Sequence, residues 1–207
     1  MPKLYCDGPE DALHGVILTH GAGAPVTDPF LETITAGFVA RGVRVVRFEF
    51  PYMEKRRADG KKRGPDRAPA LEATWRNVIA HLGGGALWVI GGKSMGGRIA
   101  SMVADPVGAR GLVCFGYPFH PPGRPERLRT AHLESIQTPT LIVQGTRDAL
   151  GSCEEIDGLA LSPRIQFLWL MDGDHSFKPR KRSGETVEAH LERAVERAVE
   201  FVIDCAP

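Results

Sequence analysis

Six short apolar runs, separated by segments of helical periodicity, constrain this chain more than any other feature. They are HGVILTHG (14–21), GVRVVRFEF (42–50), ALWVIG (86–91), GLVCFG (111–116), TPTLIVQG (138–145) and IQFLWL (165–170). Each has the length of a strand and is rich in β-branched or aromatic side chains. Most are apolar throughout, so both faces need cover. That is the condition of a mainly parallel sheet lying between two layers of helices, an α/β architecture.

The intervening segments supply the helices. Asp28 and Pro29 open one with apolar positions Phe30, Leu31, Ile34, Phe38 and Val39, closing at Gly42. Residues 70–82 carry Leu71, Trp75, Val78, Ile79 and Leu82 at helical spacing, and 95–105 and 152–161 read as further helices. In the tail, Ser183 is the expected N-cap. An apolar stripe runs through Val187, Leu191, Ala194, Val195, Ala198 and Phe201, opposite a charged face of Glu188, Glu192, Glu196, Arg193 and Arg197. MEKRRADGKKRGPDRAP (53–69), basic and punctuated by Gly and Pro, reads as a loop. With 207 residues, 43% of them apolar, the expectation is one domain over 1–207. In such folds ligands bind beyond the carboxyl ends of the strands, so the loops after 20, 50, 91, 116, 145 and 170 are where chemistry is expected.

The loop after 91 contains VIGGKSMGGR (89–98), which holds both Gly-Lys-Ser and Gly-x-Ser-x-Gly. A phosphate loop needs a further glycine where Leu87 stands, and the stretch around that position, ALWVI (86–90), reads as strand and not loop. Gly92-Lys93-Ser94-Met95-Gly96, by contrast, lies between a strand and a helix. There a strained turn can hold a serine hydroxyl out at the strand tip, which makes Ser94 the expected nucleophile.

A serine on such an elbow takes its acid and then its base from later in the chain. Of the seven histidines, His14 and His20 precede the elbow, His81 and His190 fall in helical segments, and His120 and His132 precede the expected acid. His175, in MDGDHSF after the last strand, is the expected base. Asp148, in QGTRDALG after the strand before it, is the expected acid. Asp172 and Asp174 are rivals, but they share the loop of His175 and read as turn-shaping residues. HGAGAP (20–25) follows another strand tip, so the backbone N–H groups of Ala22 and Met95 are the expected oxyanion donors.

HGAGAP, GGKSMGG, QGTRD and DGDHSF, in this order, resemble the α/β-hydrolase superfamily. FEFPYM, GKSMGGR and GYPFHPPG narrow the resemblance to a lidless branch of dienelactone-hydrolase-like and testis-expressed hydrolase-like proteins, over about residues 14–203. The resemblance implies an α/β-hydrolase fold with about six or seven strands, helices on both faces and no large lid. It also implies a Ser94–Asp148–His175 triad. Dienelactone hydrolases carry a cysteine nucleophile where this chain has Ser94, so their substrate is not carried over. Some members of the branch are subunits of complexes, which keeps a non-catalytic interaction protein open as a second reading.

The expected activity is that of a carboxylesterase-type serine hydrolase acting on small esters through an acyl-enzyme, with no metal or cofactor. A thioesterase or peptidase would use the same three residues. Tyr52, Tyr117, Phe119 and His120 follow strand ends; they either line the substrate pocket or pack down as a satellite core, and Lys93, inside the elbow, is a further pocket candidate that adds to the basic residues near the site. Lys55, Arg56, Arg57, Lys61, Lys62, Arg63 and Arg67, with Lys178, Arg180, Lys181 and Arg182, would steer an anionic substrate if they face the site, and are otherwise a solvated surface. Lys+Arg 26 against Asp+Glu 25 gives no reason to expect nucleic acid, and the apolar runs are too short to span a membrane. The start, MPKLYCDGPEDALHG, has no charged-then-apolar leader, and Cys6, Cys114, Cys153 and Cys205 form no C-x-x-C pair. Reduced thiols in the cytoplasm are therefore expected. The expected partner is a small-molecule substrate, and a homo-oligomer is left open.

Overall fold

The computed structural model describes residues 1–205. Among these residues the chain forms strands β1 (Leu4–Asp7), β2 (Gly15–Thr19), β3 (Arg44–Phe48), β4 (Val89–Lys93), β5 (Gly111–Phe115), β6 (Thr140–Gly145) and β7 (Ile165–Leu170). The helices are α1 (Pro29–Val39), α2 (Pro51–Asp59), α3 (Ala68–His81), α4 (Met95–Val103), α5 (Cys153–Ile156) and α6 (Val187–Asp204). The sheet order is β1-β3-β2-β4-β5-β6-β7. Every pairing is parallel except β1 with β3 at one edge. This is the α/β-hydrolase fold, with no large lid among the described residues.

Alternation along the strands divides the core in two. Val16 and Leu18 of β2 face α1 and α6, where they meet Ile34, Phe38, Ala198 and Val202. Ile17, between them, faces α3 and α4, among Trp75, Val78, Ile99 and Val103. Both faces are thus covered, which is why the strands tolerate continuous apolar runs. β4 lies near the centre of the sheet, so Ser94 at its tip is flanked by the loops that follow β2, β5, β6 and β7.

Several local expectations are corrected. The basic segment is not all loop: α2 occupies Pro51–Asp59. Pro51 is preorganised for the first turn, Glu, Lys, Arg and Ala favour helix, and Gly60 closes it at φ 71°. Only Tyr52 and Met53 are buried, so the helix has almost no apolar periodicity to betray it. The N-cap of α6 is Thr186, which accepts from the Ala189 N–H at 3.1 Å. Ser183 instead sits in a single 3₁₀ turn, its hydroxyl donating to Arg180 O. Helix α5 is one turn rather than the ten residues of 152–161. Strand β1 was not anticipated; four residues are too few for a period to register.

Candidate active site

Ser94 adopts φ 52° and ψ −116°, a conformation that a non-glycine residue holds only under constraint from its surroundings. Its N–H donates to Phe115 O at 3.0 Å, tying the turn to β5. Helix α4 begins at the next residue and lies so close to β2 that a Cβ on Gly96 would stand 2.7 Å from both Thr19 O and His20 O. The turn therefore requires glycine there, and its tightness projects the Ser94 hydroxyl away from the sheet.

His175 Nε2 lies 2.9 Å from Ser94 Oγ, and His175 Nδ1 lies 2.8 Å from Asp148 Oδ2. Asp148 is fully buried. Its Oδ1 accepts from the Leu150 N–H at 2.8 Å, and its Oδ2 accepts from Gln144 Nε2 at 2.9 Å as well as from the histidine. The carboxylate is thus solvated by protein donors in place of water. With Asp148 accepting at Nδ1, the proton of a neutral imidazole sits there, and Nε2 is left free to accept from the serine hydroxyl. Gln144, which the sequence reading passed over, is the keystone of this arrangement. Its Oε1 accepts from Tyr117 N–H at 2.7 Å, and its Nε2 also reaches Tyr117 O and Gly151 O. A polar side chain inside an apolar β6 run was the one available signal. The rival aspartates shape the loop: Asp174 Oδ1 accepts from Ser176 N–H and Lys178 N–H, and Asp172 pairs with Arg147 and Arg180.

The loop after β2 forms the opposite wall. His20 Nε2 accepts from the Phe50 N–H at 3.1 Å, so the proton resides on Nδ1, which donates to Gly21 O at 2.7 Å. Burial pulls the pKa of this ring down to about 4, and it is neutral. Tyr52 Oη donates to Ala22 O at 3.0 Å, and Arg56 donates to Gly23 O at 3.2 Å. Because a trans peptide points its C=O and N–H in opposite directions, anchoring Gly21 O on the His20 ring turns the Ala22 N–H away from that ring. Ala22 itself lines the cavity. The Met95 N–H opens α4 and has no acceptor within the helix.

A cavity of about 580 Å³ lies beside Ser94 and His175. Ala24, Pro25, Phe30, Val187 and Leu191 give it apolar walls, and Lys93 also lines it. The other pocket candidates do not. Tyr52 is buried beneath the loop that it anchors. Tyr117 and Phe119 are buried in the α3–α4 side of the core with Leu133 and Ile136. His120 is buried with Nδ1 2.9 Å from Pro121 O. Tyr117 and Phe119 are thus part of the main core on the α3–α4 face of the sheet, not a separate satellite core and not part of the cavity lining. Several basic side chains also have structural partners: Arg57 pairs with Glu49, Arg63 with Asp59 and Arg180 with Asp172.

The model of an alpha/beta hydrolase domain matches residues 12–203. Among solved structures, a dienelactone hydrolase from Anabaena variabilis superposes with a TM-score of 0.72 at 17% identity, over 97% of this chain and 90% of that one. A thermophilic esterase from Thermogutta terrifontis gives 0.69 at 17% identity, over 99% and 94% of the two chains. An alpha-beta serine hydrolase homologue from Coxiella burnetii gives 0.66 at 20% identity, over 95% and 89%. At such identities the likeness to these structures is one of fold.

Proposed function

The chain belongs to the α/β-hydrolase family, and from that premise we propose that it is a serine hydrolase cleaving small esters through an acyl-enzyme on Ser94. The observation that carries this reading is the continuous hydrogen-bonded path from Ser94 Oγ through the His175 ring to the buried Asp148, with both links under 3 Å.

In this mechanism Ser94 Oγ attacks the substrate carbonyl while His175 Nε2 takes its proton. Asp148 holds the ring in the required tautomer and stabilises the imidazolium. The Met95 and Ala22 N–H groups donate to the oxygen as it gains charge. Collapse of the tetrahedral intermediate passes the proton from His175 to the leaving alcohol. Water then repeats the sequence in reverse and releases the acid. No step calls for a metal or cofactor.

The apolar cavity beside Ser94 suits a short acyl or aromatic group, and no large lid covers it among the described residues, which favours small soluble esters. Residues 1–207 act as one domain in this reading. No helix among the described residues is long and apolar enough to cross a membrane. The four unpaired thiols suit a cytoplasmic setting.

A fluorophosphonate probe tests the proposal. Labelling is expected to be stoichiometric, to map to Ser94, and to vanish in Ser94→Ala together with hydrolysis of p-nitrophenyl acetate. Absence of labelling in the folded wild type would favour the non-catalytic interaction protein. A panel of esters, thioesters and peptides then assigns the leaving group.

A further inference from the structure

The loop carrying His175 has to travel back across the sheet, since it leaves β7 and must reach the tip of β4 over the ends of β6 and β5. It lies directly on both. A Cβ on Gly145 would stand 2.3 Å from Gly173 O and 2.6 Å from Asp174 O. A Cβ on Gly116, which has φ 68°, would stand 3.0 Å from His175 O and 2.5 Å from Lys93 Nζ.

Lys93 meets the loop at that second crossing. Its ammonium donates to His175 O and lies over the rings of Phe30 and Phe177, 5.2 and 5.3 Å from their centroids. Among the described residues no carboxylate comes within 4.0 Å of Nζ to form a salt bridge. Its partners are therefore one backbone carbonyl and two π faces, and the carbonyl belongs to the residue whose ring bonds Ser94. A neutral side chain of the same length could pack on the rings but could not hold the carbonyl.

On the serine-hydrolase reading of Ser94 and His175, on which this rests, we infer that Lys93 is a positioning residue. Its ammonium clamps the His175 backbone to the strand that ends in the nucleophile, reaching it through the gap that Gly116 leaves open. The ring is then held from both sides, by Asp148 at Nδ1 and by Lys93 through the main chain. Burial lowers the Lys93 pKa to about 8, against the opposing pull of Asp148, Asp174 and Asp28. The clamp is charged below that pH and weakens above it.

The test compares wild type, Lys93→Met and Lys93→Arg on p-nitrophenyl acetate and on the anionic mono-p-nitrophenyl succinate. Lys93→Met is expected to lower kcat roughly 10- to 100-fold on both esters, the effect of a small misplacement of a catalytic group. KM should stay within about 2-fold and Tm should be unchanged, as for a change confined to the reacting geometry. Lys93→Arg should recover most of the loss. The wild-type kcat should fall as the pH rises through about 8, and that limb should be absent from both variants, one never charged and the other always charged. Wild-type kcat in Lys93→Met overturns the inference. So does a loss confined to KM for the anionic ester, which would make Lys93 a substrate contact. Should Lys93→Met fail to fold, the same pH series on Lys93→Arg decides: retention of the limb at about pH 8 overturns the clamp. Ser94→Ala, run beside them, keeps the outcomes apart, because only its retained activity would count against the underlying hydrolase reading.

Discussion

Gln144 Nε2 donates to Asp148 Oδ2 at 2.9 Å, the same oxygen that receives His175 Nδ1. Both Gln144 and Asp148 are fully buried, so the amide replaces a water that the carboxylate cannot reach. Replacing Gln144 with Leu should leave Asp148, Tyr117 and Gly151 short of partners. We expect a stability loss of about 1–3 kcal/mol from unsatisfied buried groups, together with a kcat lowered by roughly 10-fold or more as the histidine loses its fixed partner. Urea unfolding and steady-state kinetics measure the two separately. An unchanged kcat would mean that the Leu150 N–H alone fixes the carboxylate.

Asp148→Asn should preserve the fold while reversing the hydrogen-bond demand at His175 Nδ1. An amide can present N–H where the ring also presents N–H, and the tautomer that leaves Nε2 free to accept is no longer favoured. The kcat should fall by about 10⁴-fold, with circular dichroism unchanged. A loss of less than about 10-fold would remove Asp148 from the catalytic set.

The Ala22 N–H can be removed without changing any catalytic side chain. Ala22→Pro should reduce kcat by about 10²–10³-fold, the effect of losing one oxyanion donor. Ala22→Gly, which keeps the N–H, should remain near wild type. Equal losses in the two variants would place the donor elsewhere in 20–25.

His20 predicts a pH-dependent stability. Its pKa is lowered from 6.5 to about 4 in the folded protein. Between those values the unfolded chain binds a proton that the folded chain refuses. The unfolding free energy should therefore rise with pH from about 4 to 6.5, and on acidification this ring should remove up to about 3 kcal/mol. Chemical denaturation at a series of pH values, with His20→Gln as the variant lacking the titration, checks it. Identical pH profiles would show that the ring does not control this window.

Much of the fold was legible because burial on both sheet faces leaves uninterrupted apolar strands, and because amphipathic helices declare themselves by period. Strand β1 escaped notice at four residues, and α2 escaped because a helix resting on a neighbour through Tyr52 and Met53 alone has no stripe. Pocket residues were the least legible. Lys93 lines the cavity, whereas Tyr117 and Phe119, equally close to strand tips in sequence, pack on the opposite side, and His120 is buried away from the cavity lining.

The amino-acid sequence alone determined the strand–helix alternation, the glycine-flanked turn around Ser94, and the chain order in which Asp148 and His175 follow it. These are local properties, set by side-chain period and by which residues a tight turn admits. Only the tertiary structure decided that the loop after β7 crosses two neighbouring strands to bring His175 to Ser94. It likewise decided that Gln144 donates to Asp148 and Lys93 to the His175 carbonyl around that meeting, and that the cavity opens toward α1 and α6. Such relationships depend on strand order and on the face to which each tip turns. Both are settled by packing among segments remote in the chain, where local periodicity carries no information.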